Sequence, residues 1–280
     1  MILVRAPLRI SFVGGGTDLP GFYRHSPGRV LSATIDKFVY LAIKSTPLVN
    51  KFIIKYQKTE VASHPRELEH DRAREALLNL GLVNEGIEIG SFADLPAKTG
   101  LGSSSSFSVA LMKGLHAFQG GKLSNIQAAA LACDLEINLL KEPIGKQDQY
   151  AAACGGFNIF QFNSNESVSV EPILLDFRKR ALLEDHIMLF FTGIARPASS
   201  VLKEQSSKVL DNFETYKKMS DSVLEFKDKL LAGDIKSMAG ILNDGWKMKK
   251  SLAANVSSAL IDELFETGIN AGAWGGKILG

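Results

Sequence analysis

Pro96-Ala97-Lys98-Thr99-Gly100-Leu101-Gly102-Ser103-Ser104-Ser105-Ser106 is the stretch around which the chain is organised. The apolar run Ile87 to Phe92 before it predicts a strand. After it, Phe107, Leu111, Leu115 and Phe118 recur at spacings of four and three, which predicts a helix. Strand, glycine-rich loop and helix start in that order can hold an anion, because the first helical turn has unpaired N–H groups and a positive dipole end. Gly100 and Gly102 allow a ligand to approach the backbone closely. The serines can cap the helix, donate to phosphate oxygens or offer a hydroxyl to Mg²⁺. Taken alone, the stretch fits an anion cradle and an ordinary capped loop equally well.

Working outward, 280 residues suffice for a full core and predict two domains. A net charge of +2, from 32 basic and 30 acidic residues, argues against a nucleic-acid partner. No apolar run approaches the roughly 20 residues of a membrane span, and Met1-Ile2-Leu3-Val4 followed by Arg5 is unlike a signal peptide. Cys133 and Cys154 have no metal-type spacing. A reducing, cytoplasmic setting without a membrane partner is expected.

Residues 2–13 predict a strand running into Gly14-Gly15-Gly16-Thr17-Asp18, a sharp turn ending in a carboxylate. Further strands are expected at Val30–Ile35, Phe38–Ser45 and Phe52–Tyr56, and an amphipathic helix over 66–80 carrying His70 and Arg74. A second helix should run from Ser124, an N-cap with Gln127 in capping-box position, to Lys141. Glu136 projects from the edge of its apolar stripe, where a carboxylate must be paired or bind a metal. Pro143 ends that helix, and the polar run Ile144–Tyr150 follows, with Asp148 in its middle. Strands are expected at Phe157–Phe162, Ser167–Ile173 and His186–Thr192, then helices near 198–217, 220–232, 235–250 and 257–270. Composition supports a two-domain α+β chain, divided near 165–185. The final Gly272–Gly280 stretch reads as interrupted rather than finished.

Three of these stretches, in order, resemble the motifs of the GHMP small-molecule kinases: Arg5-Ala6-Pro7-Leu8-Arg9-Ile10-Ser11-Phe12 through Asp18, the Pro96–Ser106 loop, and Gly272–Gly280. No G-x-x-x-x-G-K-[ST], dinucleotide fingerprint or G-x-S-x-G elbow competes with them. Within the family, the first motif, Pro143–Tyr150 and Phe191–Arg196 are most similar to kinases of an anomeric sugar-phosphate hydroxyl. Galactokinases carry other residues at Gly15 and Gly16; fucokinases are nearer.

The resemblance implies a two-domain α+β fold. Residues 1–175 would form a domain like domain 2 of ribosomal protein S5, and residues 176–280 a ferredoxin-like domain, incomplete at its end. It implies ATP, Mg²⁺ and a small sugar phosphate as ligands, and is compatible with a homodimer. Pro96, Gly100, Leu101, Gly102, Ser103, Ser104 and Ser105 would hold the nucleotide, with Ser104 and Glu136 on the metal. Asp148 would be the general base, kept ionised by Lys146 or Arg9, and Arg9 would face the attacking oxygen. Gly15, Gly16, Thr17 and Asp18 would bind the sugar, and Arg196 its remote phosphate. A non-catalytic ligand sensor on the same fold is the alternative from another class.

Overall fold

The computed structural model describes residues 1–194, 204–253 and 256–279. Its frame is a seven-stranded sheet built on one long strand. β1 (Ile2–Val13) pairs antiparallel with one edge of β2 (Gly28–Ser45). The other edge of β2 serves two partners, with Val39–Ser45 against β5 (Ile87–Ala93) and Gly28–Ala33 against β6 (Phe157–Phe162). β3 (Phe52–Lys55) lies parallel to β5 and antiparallel to β4 (Thr59–Ala62), while β7 (Val168–Pro172) closes the far side on β6. The break expected between Ile35 and Phe38 is absent. A register shift between Pro7 and Arg9 absorbs the extra residues of β2 and leaves both halves on the same partner.

Adjacent side chains on a strand point to opposite faces, and here each face has its own core. Val30 and Phe160 belong to the core under four helices: α2 (Asp71–Asn79), α3 (Ser103–Phe118), α4 (Asn125–Cys133) and α5 (Gln147–Cys154). Leu31 and Ile159, one residue away, belong to a second core under α6 (Phe177–Asp185), α7 (Phe213–Ala232) and α8 (Ile235–Ser251). α3 presses closely on the sheet: a Cβ at Gly114 would lie 2.5 Å from Ile43 Cδ1. α1 (Pro20–Tyr23) follows the first glycine turn, and α9 (Ala259–Asn270) packs Ile261 near Trp246 of α8.

Four other expectations change. The helix over 66–80 starts at Asp71, because His70 turns out of the helix and caps it, Nδ1 accepting from the Ala73 N–H. The helix from Ser124 has the expected capping box but becomes a π-helical turn over Asp134–Leu139. The expected break near 217–220 is a single helix, α7, whose Ser220 is buried and donates to the Pro27 carbonyl at 2.8 Å. His186–Thr192 is not a strand. It has no strand partner among the described residues, and Met188, Phe190 and Phe191 stand exposed. After β7 the described residues form helices rather than strands, and no helix among them is long and apolar enough to cross a membrane.

Candidate active site

β1, the glycine-rich loop and the start of α5 meet at one point. Arg9 is nearly buried on β1, just past the register shift, and its guanidinium grips Asp148 of α5 through Nε (2.8 Å) and Nη2 (2.6 Å) to the same Oδ1. Its Nη1 donates to the Gly100 carbonyl at 2.6 Å, and its backbone N–H to the Leu101 carbonyl at 3.0 Å. One side chain thus ties a carboxylate to the phosphate-type loop. Lys146, the other cation considered for Asp148, pairs instead with Glu166 at 2.5 Å.

The loop meets the demands of an anion cradle. Gly100 and Gly102 have φ of +75° and +76°. Gly102 is the N-cap of α3, so no side chain there satisfies the first-turn N–H groups. A Cβ at Gly102 would stand 3.3 Å from Arg9 Cγ and 3.4 Å from Asp148 Oδ2, so the glycine leaves the loop open to the Arg9–Asp148 pair. These features fit nucleotide phosphates. Leu101 is buried beneath the loop, Pro96 is exposed at its start and accepts a hydrogen bond from the Thr99 hydroxyl, and Ser104 and Ser105 line the pocket. Ser103 opens α3.

The metal pair is arranged differently from expectation. Glu136, in the π-helical turn, is wholly buried and accepts from Ser108 Oγ (2.8 Å), Arg72 Nε (3.2 Å), Ser105 Oγ (2.8 Å) and Gln149 Nε2. It binds Ser105 rather than Ser104, which is exposed. Both carboxylate oxygens are committed within the protein, so Ser104 and Glu136 do not form a ready Mg²⁺ site here. Among the described residues no cluster of three or more acidic, His or Cys side chains could hold a metal.

The first glycine turn forms the next wall. Asp18 is buried and accepts from the Gly16 N–H (3.0 Å), the Gln147 N–H (3.1 Å) and Gln147 Nε2 (3.2 Å). Burial pushes its carboxyl above the usual range, the Gln147 N–H opposing this and the Asp148 charge adding to it. Thr17 is an internal staple, its hydroxyl donating to the Arg29 carbonyl and accepting from the Arg29 N–H. Gly15 lines the pocket beside Ser11 and Gln147, and Gly16 has φ +104°. Arg196 lies outside the described residues.

The pocket, a cavity of about 150 Å³, is completed from the C-terminal side by residues not anticipated from the sequence: Gln205, Trp246, Lys249 and Lys277. Gly145 was also missed. A Cβ there would lie 1.9 Å from Asp18 Oδ2, so only glycine lets α5 approach the first turn. The third glycine-rich stretch docks on α8, the Gly276 N–H donating to Asn243 Oδ1 (3.0 Å), and sends Lys277 to the Ser11 and Phe12 carbonyls of β1. That stretch was legible as a motif, whereas Lys249 sits in a run that resembles a solvated helix face.

A glycine-loop cradle tied to an Arg–Asp pair suits phosphoryl transfer to a small molecule, and the chain is similar to the GHMP kinases. Residues 70–156 match the model of the GHMP kinases N terminal domain, and GHMP kinases use ATP, typically with Mg²⁺. Among its relatives is D-glycero-alpha-D-manno-heptose 7-phosphate kinase of Campylobacter jejuni, 27% identical across all of this chain and 86% of that protein. The crystal structure of a D-glycero-D-manno-heptose 1-phosphate kinase from Bacteriodes thetaiotaomicron superposes with a TM-score of 0.82 at 29% identity, covering 100% of this chain and 86% of that one. The bifunctional fucokinase/GDP-fucose pyrophosphorylase of Arabidopsis thaliana is 27% identical over 94% of this chain and 27% of its own length.

Proposed function

We propose that this chain is an ATP-dependent kinase of the anomeric hydroxyl of a sugar phosphate, D-glycero-D-manno-heptose 7-phosphate being the acceptor that the name of the Campylobacter jejuni relative suggests. The observation that carries the mechanism is the Arg9 side chain, which joins Asp148 to the Gly100 carbonyl. Phosphoryl transfer asks mainly for positioning and charge stabilisation, and this bridge provides both. Asp148 takes the proton from the acceptor hydroxyl as its oxygen bonds to the γ-phosphorus and the bond to the departing ADP oxygen breaks. Arg9 holds Asp148 in place and offers fixed positive charge to the developing alkoxide. The uncapped first turn of α3, with Gly100, Gly102 and Ser103, receives the phosphate chain. Mg²⁺ would neutralise phosphate charge when bound with the nucleotide, and Ser104, exposed on the pocket wall at the start of α3, would offer it a hydroxyl.

We divide the chain into residues 1–175, the nucleotide-holding part, and 176–280, whose helices close the acceptor pocket. An ADP-release assay with Mg²⁺ and a panel of heptose 7-phosphate, mannose, fucose, galactose and mevalonate tests the reading. Turnover confined to the phosphorylated heptose supports it. Turnover with fucose alone would transfer the chain to the fucokinase-like branch, and ATP binding without turnover of any acceptor would favour a ligand sensor.

A further inference from the structure

Five ionisable side chains line the pocket: Arg9, Asp18, Asp148, Lys249 and Lys277. Arg9 and Asp148 neutralise one another, and Asp18 is held by N–H groups of Gly16 and Gln147. The lysines are left with neutral acceptors. Lys249 Nζ donates to the Gly15 carbonyl and to Gln205 Oε1, each at 3.1 Å. Lys277 Nζ donates to the carbonyls of Ser11 (2.9 Å) and Phe12 (3.2 Å). Among the described residues neither lysine forms an ion pair with a carboxylate. Burial pushes Lys249 down to about 8, against the Asp18 charge. It pushes Lys277 to about 7, with the charges of Lys249 and Arg9 adding to the effect.

Around these amines the unpaired atoms are donors. Among the described residues the Nε2 of Gln205, which is fully buried, has no partner, and neither has the Nε1–H of Trp246, which is 3% exposed; both side chains line the pocket. The Tyr216 hydroxyl, also without a partner among the described residues, belongs to the same neighbourhood. The point a Gly16 Cβ would occupy is 3.2 Å from the Tyr216 ring and 3.1 Å from Lys249 Nζ. Roughly nine in ten buried polar atoms are paired in native proteins. Two ammonium groups without a carboxylate partner, and an amide N–H and an indole N–H without any partner, among the described residues, thus line one wall, and a group made only of acceptor oxygens would complete it.

Position selects which anion. The phosphate-type loop meets β1 at Arg9, whereas Lys277 meets it at Ser11 and Phe12, two to three residues or about 7–10 Å further along an extended strand. Lys249 lies further still, at Gly15. We propose that Lys249, Gln205, Trp246 and Lys277 seat a phosphate monoester carried by the acceptor, remote from the hydroxyl that Asp148 deprotonates. This rests on the kinase reading above and gives the acceptor's remote anion to the C-terminal helices and third glycine stretch instead of Arg196.

Calorimetric titration of the full chain with D-mannose 6-phosphate and with D-mannose, without nucleotide, reads the seat without requiring turnover. The wild type should bind the phosphorylated sugar at least roughly tenfold more tightly, and Lys249→Met should remove most of that preference. Trp246→Phe keeps the ring in the core and deletes only the N–H; it should weaken the phosphorylated sugar severalfold and leave the KM for ATP unchanged. A wild type without preference for the phosphorylated sugar, or Lys249→Met and Trp246→Phe variants that bind like it, would overturn the seat. The expected titration with a silent kinase panel would remove the kinase reading and keep the seat. Turnover of heptose 7-phosphate with an unaltered KM in Lys249→Met would do the reverse.

Discussion

Arg9 has more partners than an ordinary strand residue, since its guanidinium serves both Asp148 and the Gly100 carbonyl. Lysine has one ammonium and no fork, so Arg9→Lys can keep one of these contacts but not both. We expect kcat to fall by about 10- to 100-fold with only a small change in melting temperature, as one misplaced group can cost that much. Glu136 tests the opposite behaviour, because it serves the interior. Glu136→Ala would strand Ser105, Ser108 and Gln149 and half of the Arg72 contact, costing about 3 kcal/mol or more in denaturant unfolding. Glu136→Gln keeps the shape and should cost roughly 1–2 kcal/mol. Comparable stability in all three proteins would show that the carboxylate is not an internal anchor. The sequence flagged Glu136 as a carboxylate needing partners, but could not show that Ser105 rather than Ser104 would be one of them. That choice depends on the rotation of α3 against the π-helical turn, a tertiary matter.

At the scale of elements, the glycine loop and the two register shifts of the β1–β2 pair do the positioning. The register shifts between Pro7 and Arg9 and between Ser11 and Val13 bracket the stretch that carries Arg9 and Ser11 to the pocket. Gly102→Ala would force φ +76° on a residue with a side chain and push its Cβ towards Arg9 and Asp148. A stability loss of about 1–2 kcal/mol is expected, together with a raised KM for ATP. An alanine variant with wild-type KM would mean that the loop does not receive the phosphates. The elements around the loop were legible because β5, the glycines and α3 each carry strong local signals. α5 was not legible: Gln147–Cys154 reads as polar residues followed by small ones, and its start lies against Asp18 through a close approach that a side chain at Gly145 would block. The apolar run His186–Thr192 failed as a strand for the complementary reason. Strand composition makes a strand only where the run pairs with another edge, and this one has no strand partner among the described residues.

Across the whole molecule, the two-faced sheet brings helices from distant sequence to a single pocket, and this is where sequence reading is weakest. Lys249 and Lys277 were invisible as site residues because nothing local distinguishes a pocket lysine from a surface one. Their environment predicts a pH effect on the ligand-free protein. A lysine in the unfolded chain titrates near 10.4, about 2 to 3 units above these two. Below pH of about 7 both are charged in either state, and the full cost of burying them is present. As pH rises from about 7 towards 10 the unfolded chain binds more protons than the folded one, so these groups make stability increase. Asp18 is the charge facing Lys249, and Lys249 and Arg9 are those facing Lys277. The melting temperature of wild type relative to Lys277→Met should therefore rise between pH 7 and pH 9. A pH-independent difference would mean that Lys277 does not titrate as placed.

The most direct test of the central claim is the rate of ATP-dependent phosphorylation of heptose 7-phosphate by wild type and by Asp148→Asn, with nucleotide affinity measured in parallel. Loss of the proton acceptor should lower kcat by roughly 10²- to 10⁴-fold while nucleotide binding stays near the wild-type value. An asparagine variant that turns over the sugar at the wild-type rate would contradict the account.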